Sequence, residues 1–201
     1  MKIKKGDIIK TKVESLSFGG SGFAKHNGAA IFIEKGLPGQ ELEVFIFRKY
    51  KNYFKAKINT IIKESSHSQE PLCAHFNDCG GCSFQNFDYN QQAKEKYTQV
   101  KDTLEHIGSF KNLKVNPISK AKEQFNYRNK MEFTFSNNPW FEKYNPKEKG
   151  SFCIGLHPKG RFDKTIDIQS CEIQSKVANQ IINNVRDTSI KAKLIPYDIK
   201  K

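Results

Sequence analysis

The chain has 201 residues, 37% hydrophobic and 12% aromatic, and its thirty-four Lys and Arg outnumber twenty-one Asp and Glu to leave a net charge of +13. That length holds one ordinary domain or two small ones and excludes a large catalytic chain, while the apolar content excludes wholesale disorder. No apolar run approaches the ~20 residues that span a bilayer, and the opening Met-Lys-Ile-Lys-Lys-Gly has no apolar stretch after its charges, so the expectation is a cytoplasmic protein with no membrane partner and no signal peptide.

A pI near 9.5 favours a polyanionic partner, because each phosphate neutralised by Lys or Arg releases condensed counterions. Nucleic acid is the natural candidate. Lysine abundance alone is the bland alternative, since only Arg48, Arg128, Arg161 and Arg186 are arginine.

The first sixty or so residues read as short strands separated by turns. Ile9, Thr11 and Val13 alternate with Lys10 and Lys12, and Ser17 to Gly22 form a flexible connection. Ala30 to Ile33 make a further strand, Gly36-Leu37-Pro38-Gly39 a turn, and Leu42, Val44 and Ile46 alternate with Glu43, Phe45 and Phe47. A last strand runs from Tyr53 to Ile62. Five short strands at this spacing predict a small closed barrel of the OB type over residues 1–63. Charge is densest there, net +8 against +5 for the remainder. Arg48, Lys49, Tyr50, Lys51, Tyr53 and Lys55 interleave basic and aromatic residues at the junction of two strands. Aromatic faces stack on unpaired bases while ammonium groups meet phosphates, so these six are candidate RNA contacts. The alternative is a solvated hairpin whose aromatics fold back into the barrel.

Residues 64–71, polar and ending in proline, are expected as a linker. Residues 72–201 then form an α+β second domain. Tyr89, Ala93, Tyr97, Val100, Leu104 and Ile107 recur every three or four positions, which predicts a helix of about five turns capped by Asp88 or Asn90 and stopped at Gly108. Met131, Phe133 and Phe135 alternate with polar neighbours as a half-buried strand, with partners at Phe152–Leu156 and Thr165–Ile168. Ile173, Val177, Ile181 and Val185 close the pattern with a shorter helix.

Five cysteines, an odd number in a chain without a secretion signal, argue against a disulfide framework. Cys73, Cys79 and Cys82 are separated by gaps of five and two residues, the tight pair straddling two glycines that let the backbone bend so that three sulfurs face one point. Zinc and an iron–sulfur cluster both accept four cysteines. Three clustered cysteines plus a remote one fit a cluster better than the paired spacing of a zinc ribbon, though the gap of five departs from the plant-type gap of four. Cys153, between Phe152 and Ile154 in an expected strand, reads as a buried free thiol. Cys171, at a strand end and the expected opening of a helix, is the better fourth ligand, because positive helix potential stabilises a thiolate.

Cys73 through Gln85, C-x5-C-G-G-C-x2-Q, followed by the long helix, resembles the iron–sulfur RNA (uracil-5-)-methyltransferases that modify ribosomal and transfer RNA. The likeness continues through Tyr127-Arg128-Asn129-Lys130-Met131-Glu132-Phe133, Ile154-Gly155-Leu156 and Ile166 to Cys171. The barrel, with Gly19-Gly20-Ser21-Gly22-Phe23-Ala24, resembles a TRAM domain. The resemblance implies a TRAM barrel followed by an iron–sulfur domain, with Cys73, Cys79, Cys82 and Cys171 as ligands of a [4Fe–4S] cluster. It also places Arg128 and Lys130 in an RNA-facing segment that binds rRNA or tRNA. Arg128 is the preferred contact, with a salt bridge to Glu132 as its alternative.

Such enzymes add a Rossmann-like domain that binds S-adenosylmethionine and carries nucleophile and base. No strand, glycine-rich turn and helix of that kind occurs in these 201 residues. The expectation is therefore a truncated or split enzyme that supplies RNA recognition and the cluster, with S-adenosylmethionine entering through a missing or separately encoded methyltransferase domain. No catalytic residue is assigned. The competing readings are a free-standing cluster- or zinc-stabilised RNA-binding adaptor and a zinc-stabilised DNA-binding protein.

Overall fold

The computed structural model describes residues 3–141, 151–196 and 198. The chain divides into two compact units, Met1–Glu70 with Asn86–Lys120, and Pro71–Gln85 with Ala121–Lys201. Among the described residues no helix is long and apolar enough to cross a membrane.

The first unit carries strands β1 (Ile8–Lys12), β2 (Ser15–Leu16), β3 (Gly22–His26), β4 (Ala29–Glu34), β5 (Glu41–Lys49) and β6 (Tyr53–Lys63), in the order β1-β5-β6-β4-β3-β2. The two edges of that order are halves of one bent strand. Val13, between them, donates its N–H to the Gln40 carbonyl, and Glu14 donates to the Phe23 carbonyl, so the sheet curls shut and leaves no free edge. The expected barrel is present, with six strands instead of five because the first breaks at Val13 and Glu14. Strict alternation sends Leu42, Val44 and Ile46 of β5, Ile31 and Ile33 of β4, and Phe54 and Ala56 of β6 into one core with Val13 and Ala24.

Helix α1 (Tyr89–Asp102) starts at Asp88, whose carboxylate accepts the Gln91 N–H at 3.1 Å, and continues as a π-helical turn over Thr103–Ile107, closed by the Gly108 N–H on the Thr103 carbonyl. It packs with the barrel, not with the second unit to which its position in the sequence assigned it. The Glu95 carboxylate accepts the Leu16 N–H at 3.0 Å, and Gln99 Nε2 donates to the Leu16 carbonyl at 2.9 Å. Two polar side chains thus satisfy both backbone groups at the end of short β2. Apolar periodicity does not register such bonds: of the stripe read in the sequence only Ala93 is buried, and Val100 and Ile107 are exposed. Residues 64–70 of the expected linker are likewise part of this unit. Ser65 Oγ donates to the Pro38 carbonyl at 2.7 Å, Gln40 Nε2 to Glu64 at 3.0 Å, and Gln69 N–H to the Asn86 carbonyl.

The second unit has a three-stranded antiparallel sheet, β7 (Thr134–Ser136), β8 (Cys153–Leu156) and β9 (Ile166–Asp167), and helix α2 (Lys176–Lys191), capped by Ser175 Oγ on the Ala178 N–H. At Gly155 a Cβ would lie 1.7 Å from the Ile166 carbonyl oxygen, so only glycine allows β8 and β9 to pair there. The strand expected over Met131–Phe135 starts later, and it buries Ser136 while Phe135 turns outward against Phe152.

The apolar stripe of α2 also falls differently. Val177 and Ile181 are 62% and 57% exposed, and the helix buries Ile182, Arg186 and Ser189 instead. The reason is Arg186. Its guanidinium, 6% exposed, donates to the carbonyls of Ile154 and Ile168 and to Asp167, Gln169 and Asn183. This polar network turns the arginine face of α2 toward the sheet.

Candidate four-cysteine cavity and aromatic surface

Cys73, Cys79, Cys82 and Cys171 line one cavity of about 510 Å³ in the second unit; Cys153 does not. The first three sit on a loop folded by its own backbone, with Phe76 N–H on the Cys73 carbonyl and Cys79 N–H on the His75 carbonyl. Gly81 N–H donates to Cys79 Sγ at 3.3 Å. Gly80 serves close approach: its N–H donates to the His157 carbonyl at 3.0 Å, and a Cβ on it would meet that oxygen at 3.2 Å. The loop is thereby held against residues 157–160, which follow β8.

His157 anchors that wall. Its Nδ1 lies 2.7 Å from the Lys164 carbonyl, which only accepts, so Nδ1 carries the proton and Nε2, in the neutral ring, accepts from the Thr134 hydroxyl at 3.0 Å. Across the cavity, Cys171 is placed by Asn179, whose Oδ1 accepts the Cys171 N–H at 2.8 Å and whose Nδ2 donates to the Cys171 carbonyl at 3.1 Å. Helix α2 begins at Lys176, so Cys171 does not open a helix, and its placement rests on this side-chain clamp instead of on a helix terminus.

Burial pushes the Cys73 thiol above its ordinary pKa, aided by the nearby Cys171 and Cys82 and opposed by a backbone hydrogen bond at His75. Burial likewise raises Cys79, where the Gly81 N–H opposes and the other three cysteines add to the rise. Burial and the neighbouring cysteines thus favour the neutral thiols of Cys73 and Cys79, and a nearby positive charge is what would favour their thiolates. Among the described residues no group of three or more His, Cys, Asp or Glu is placed to hold a metal ion.

Cys153 is buried in β8 and donates to the Ser136 carbonyl at 3.2 Å. Desolvation and then Asp167 push its pKa to about 11, so at neutral pH it is an inert thiol. Arg128 and Lys130 reach the cavity wall. Arg128 donates to the Lys130 carbonyl at 3.1 Å, and the pairing with Glu132 is made by Lys130 instead, at 2.9 Å between exposed side chains.

On the barrel, Arg48 and Lys49 end β5, Lys51 lies in the turn, and Tyr53 and Lys55 begin β6. Tyr50 and Tyr53 stack at 4.4 Å and 11°, with Arg48 at 5.0 Å and Lys55 at 5.8 Å from the Tyr50 ring. Phe54, not these tyrosines, enters the core. The aromatic run extends where sequence reasoning did not follow it. Phe32 meets Tyr53 edge-on at 5.3 Å, and Phe23, its cross-strand partner, lies 5.7 Å further on. The outward phase of β3 and β4 was the available signal, and only the β4–β6 pairing brings it beside Tyr53.

A closed small barrel bearing an outward aromatic and basic strip defines a class of domain: residues 2–58 match the model of the TRAM domain. The chain is 30% identical over 210 residues to an uncharacterised RNA methyltransferase of Chlorobaculum tepidum, covering 100% of this chain and 43% of the relative. It is 36% identical over 173 residues to one of Bacteroides thetaiotaomicron, covering 84% and 38%. The solved tRNA (uracil-54, C5)-methyltransferase of Pyrococcus abyssi, in complex with S-adenosyl-L-homocysteine, shares the fold with a TM-score of 0.58 and 19% identity over 94% of this chain and 39% of that one. The chain thus spans about two fifths of the length of the curated relatives it matches.

Proposed function

We propose that this chain is the RNA-recognition and cluster-bearing part of an RNA methyltransferase acting at C5 of uridine in rRNA or tRNA. In this reading Cys73, Cys79, Cys82 and Cys171 hold a [4Fe–4S] cluster. The observation that carries it is the meeting of four cysteines, three from one loop and one about ninety residues later, around a single cavity. A tetrahedral zinc with Zn–S bonds of about 2.3 Å needs sulfurs converging on one point, whereas a cluster needs them around a larger core.

The cluster, when bound, supplies a cross-link with four anionic sulfurs around it. The chain's own residues do the rest. Asn179 fixes the backbone of Cys171, Gly80 docks the cysteine loop on the His157 carbonyl, and Arg128 and Lys130 place cationic groups at the cavity wall. On the barrel, Tyr50 and Tyr53 offer stacking faces, and Arg48, Lys49, Lys51 and Lys55 meet phosphates. Similarity to RNA methyltransferases over 84–100% of the chain supports an RNA substrate. Methyl transfer from S-adenosylmethionine is a property of the whole protein.

Anaerobic reconstitution with iron and sulfide tests the site. About four irons and four sulfides per chain, lost in Cys171→Ser and retained in Cys153→Ser, are expected; one zinc and no sulfide per chain would overturn the cluster. RNA binding is read by fluorescence anisotropy, and an affinity for single-stranded RNA that is independent of salt would overturn the electrostatic part of the interface.

A further inference from the structure

The motif ends on a residue that the ligand set does not use. Gln85 lies three residues after Cys82, and its carboxamide is bonded at both ends. Oε1 accepts the Cys73 N–H at 3.1 Å, and Nε2 donates to Cys82 Sγ at 3.3 Å. The two bonds fix one another's sense: the Cys73 N–H requires an oxygen, which leaves the amide nitrogen to face sulfur. One side chain therefore spans the loop, ties the first cysteine to the third, and directs a donor at the sulfur.

We propose that Gln85 is a positioning residue of the four-cysteine site, holding Cys73 by its backbone and tuning Cys82 by an N–H···S hydrogen bond. The inference rests on the cluster reading above. A hydrogen bond to a ligating thiolate withdraws electron density from sulfur, which raises the reduction potential of a cluster and slows oxidative loss of the ligand. Gly81 N–H makes the same kind of bond to Cys79 Sγ through the backbone, so the two middle cysteines are supported and Gln85 is the support that mutation can remove.

The test uses the full 201-residue chain reconstituted without oxygen, with iron and sulfide content measured first and the one-electron midpoint potential measured by titration with dithionite. Gln85→Glu keeps the acceptor for the Cys73 N–H and removes the donor to sulfur. Gln85→Leu removes both without adding charge. Expected are near-normal iron content in Gln85→Glu, reduced content in Gln85→Leu, and in both a roughly tenfold shift of the reduction equilibrium toward the oxidised form, about 59 mV more negative. In the wild type carrying 15N in its glutamine side chains, pulsed EPR of the reduced cluster is expected to show a nitrogen coupling, which decides the matter even where a variant fails to load. Unshifted potentials in loaded variants, or no such coupling in the wild type, would overturn the role of Gln85 while leaving the cluster in place. A wild-type chain that takes up no iron and sulfide overturns the cluster reading itself and this inference with it.

Discussion

The two units are held together by different physics. The barrel buries a continuous apolar core, closes its own sheet edges and satisfies the ends of short β2 with side chains of α1. The second unit has three short strands and a small apolar cluster, Ile166, Ile168 and Ile173, in which two of the buried members are the cysteines Cys79 and Cys171. Its deepest connection is the polar network of Arg186. On the proposed cluster reading, a unit whose core is built partly of ligands depends on what those ligands hold, because binding free energy there is folding free energy; a barrel with its own hydrophobic core does not.

The largest expected effect tests that contrast directly. Arg186→Met removes two buried charge-assisted hydrogen bonds, to the Ile154 and Ile168 carbonyls, and the ion pair with Asp167, and should cost the second unit about 3–5 kcal/mol. Hydrogen exchange should show lost protection over residues 153–168 and none over 42–56; equal loss in both would show that the units fold as one. The converse is Leu42→Ala, expected to cost the barrel about 2–5 kcal/mol. Thermal unfolding of this variant should remain low after iron and sulfide are added, whereas the second unit of the wild type should gain stability from them.

Next in size is a change of function without a change of fold. Tyr50 and Tyr53 lie outside the core, so replacing each with alanine should leave the melting temperature in place and weaken single-stranded RNA binding by about 1–3 kcal/mol per stacked base. Lys49→Ala should lower the magnitude of the salt slope by about 0.7 for each phosphate that is no longer neutralised. Anisotropy titrations at several salt concentrations separate the two.

The smallest effects concern Cys153. With its pKa near 11, about one thiol in a thousand is ionised at pH 8, so mass spectrometry should find it alkylated far more slowly than an unfolded cysteine. Because the folded pKa lies above the ordinary 9.0, the unfolded chain releases this proton first, and stability of the second unit should fall as pH rises from about 9 toward 11. Cys153→Ala should leave iron content unchanged and cost about 1 kcal/mol.

The barrel was legible because closed sheets announce themselves by alternation. Leu42, Val44 and Ile46 are all buried, as their spacing predicts. The helix over 89–107 and its Asp88 cap were legible for the same reason, a period of 3.6 and a capping side chain. Its partner was not, because Glu95 and Gln99 join it to Leu16 through polar bonds between residues about eighty positions apart. The face of α2 was misread because an arginine with five acceptors outweighs a stripe of valine and isoleucine.

The sequence by itself determined which residues are present to do chemistry: three closely spaced cysteines with others more remote, a basic and aromatic hairpin, and a net charge that stays divided as +8 and +5 when the two units are drawn as the chain folds them. Only the tertiary structure decided that Cys171 meets the loop cysteines by way of Asn179, that Gln85 reaches back to Cys73, and that Phe23 and Phe32 extend the tyrosine strip. Composition and periodicity report what one segment buries. Side-chain hydrogen bonds and strand pairing between distant segments depend on where the chain returns, and that is settled only when the sheet closes and the loop is docked.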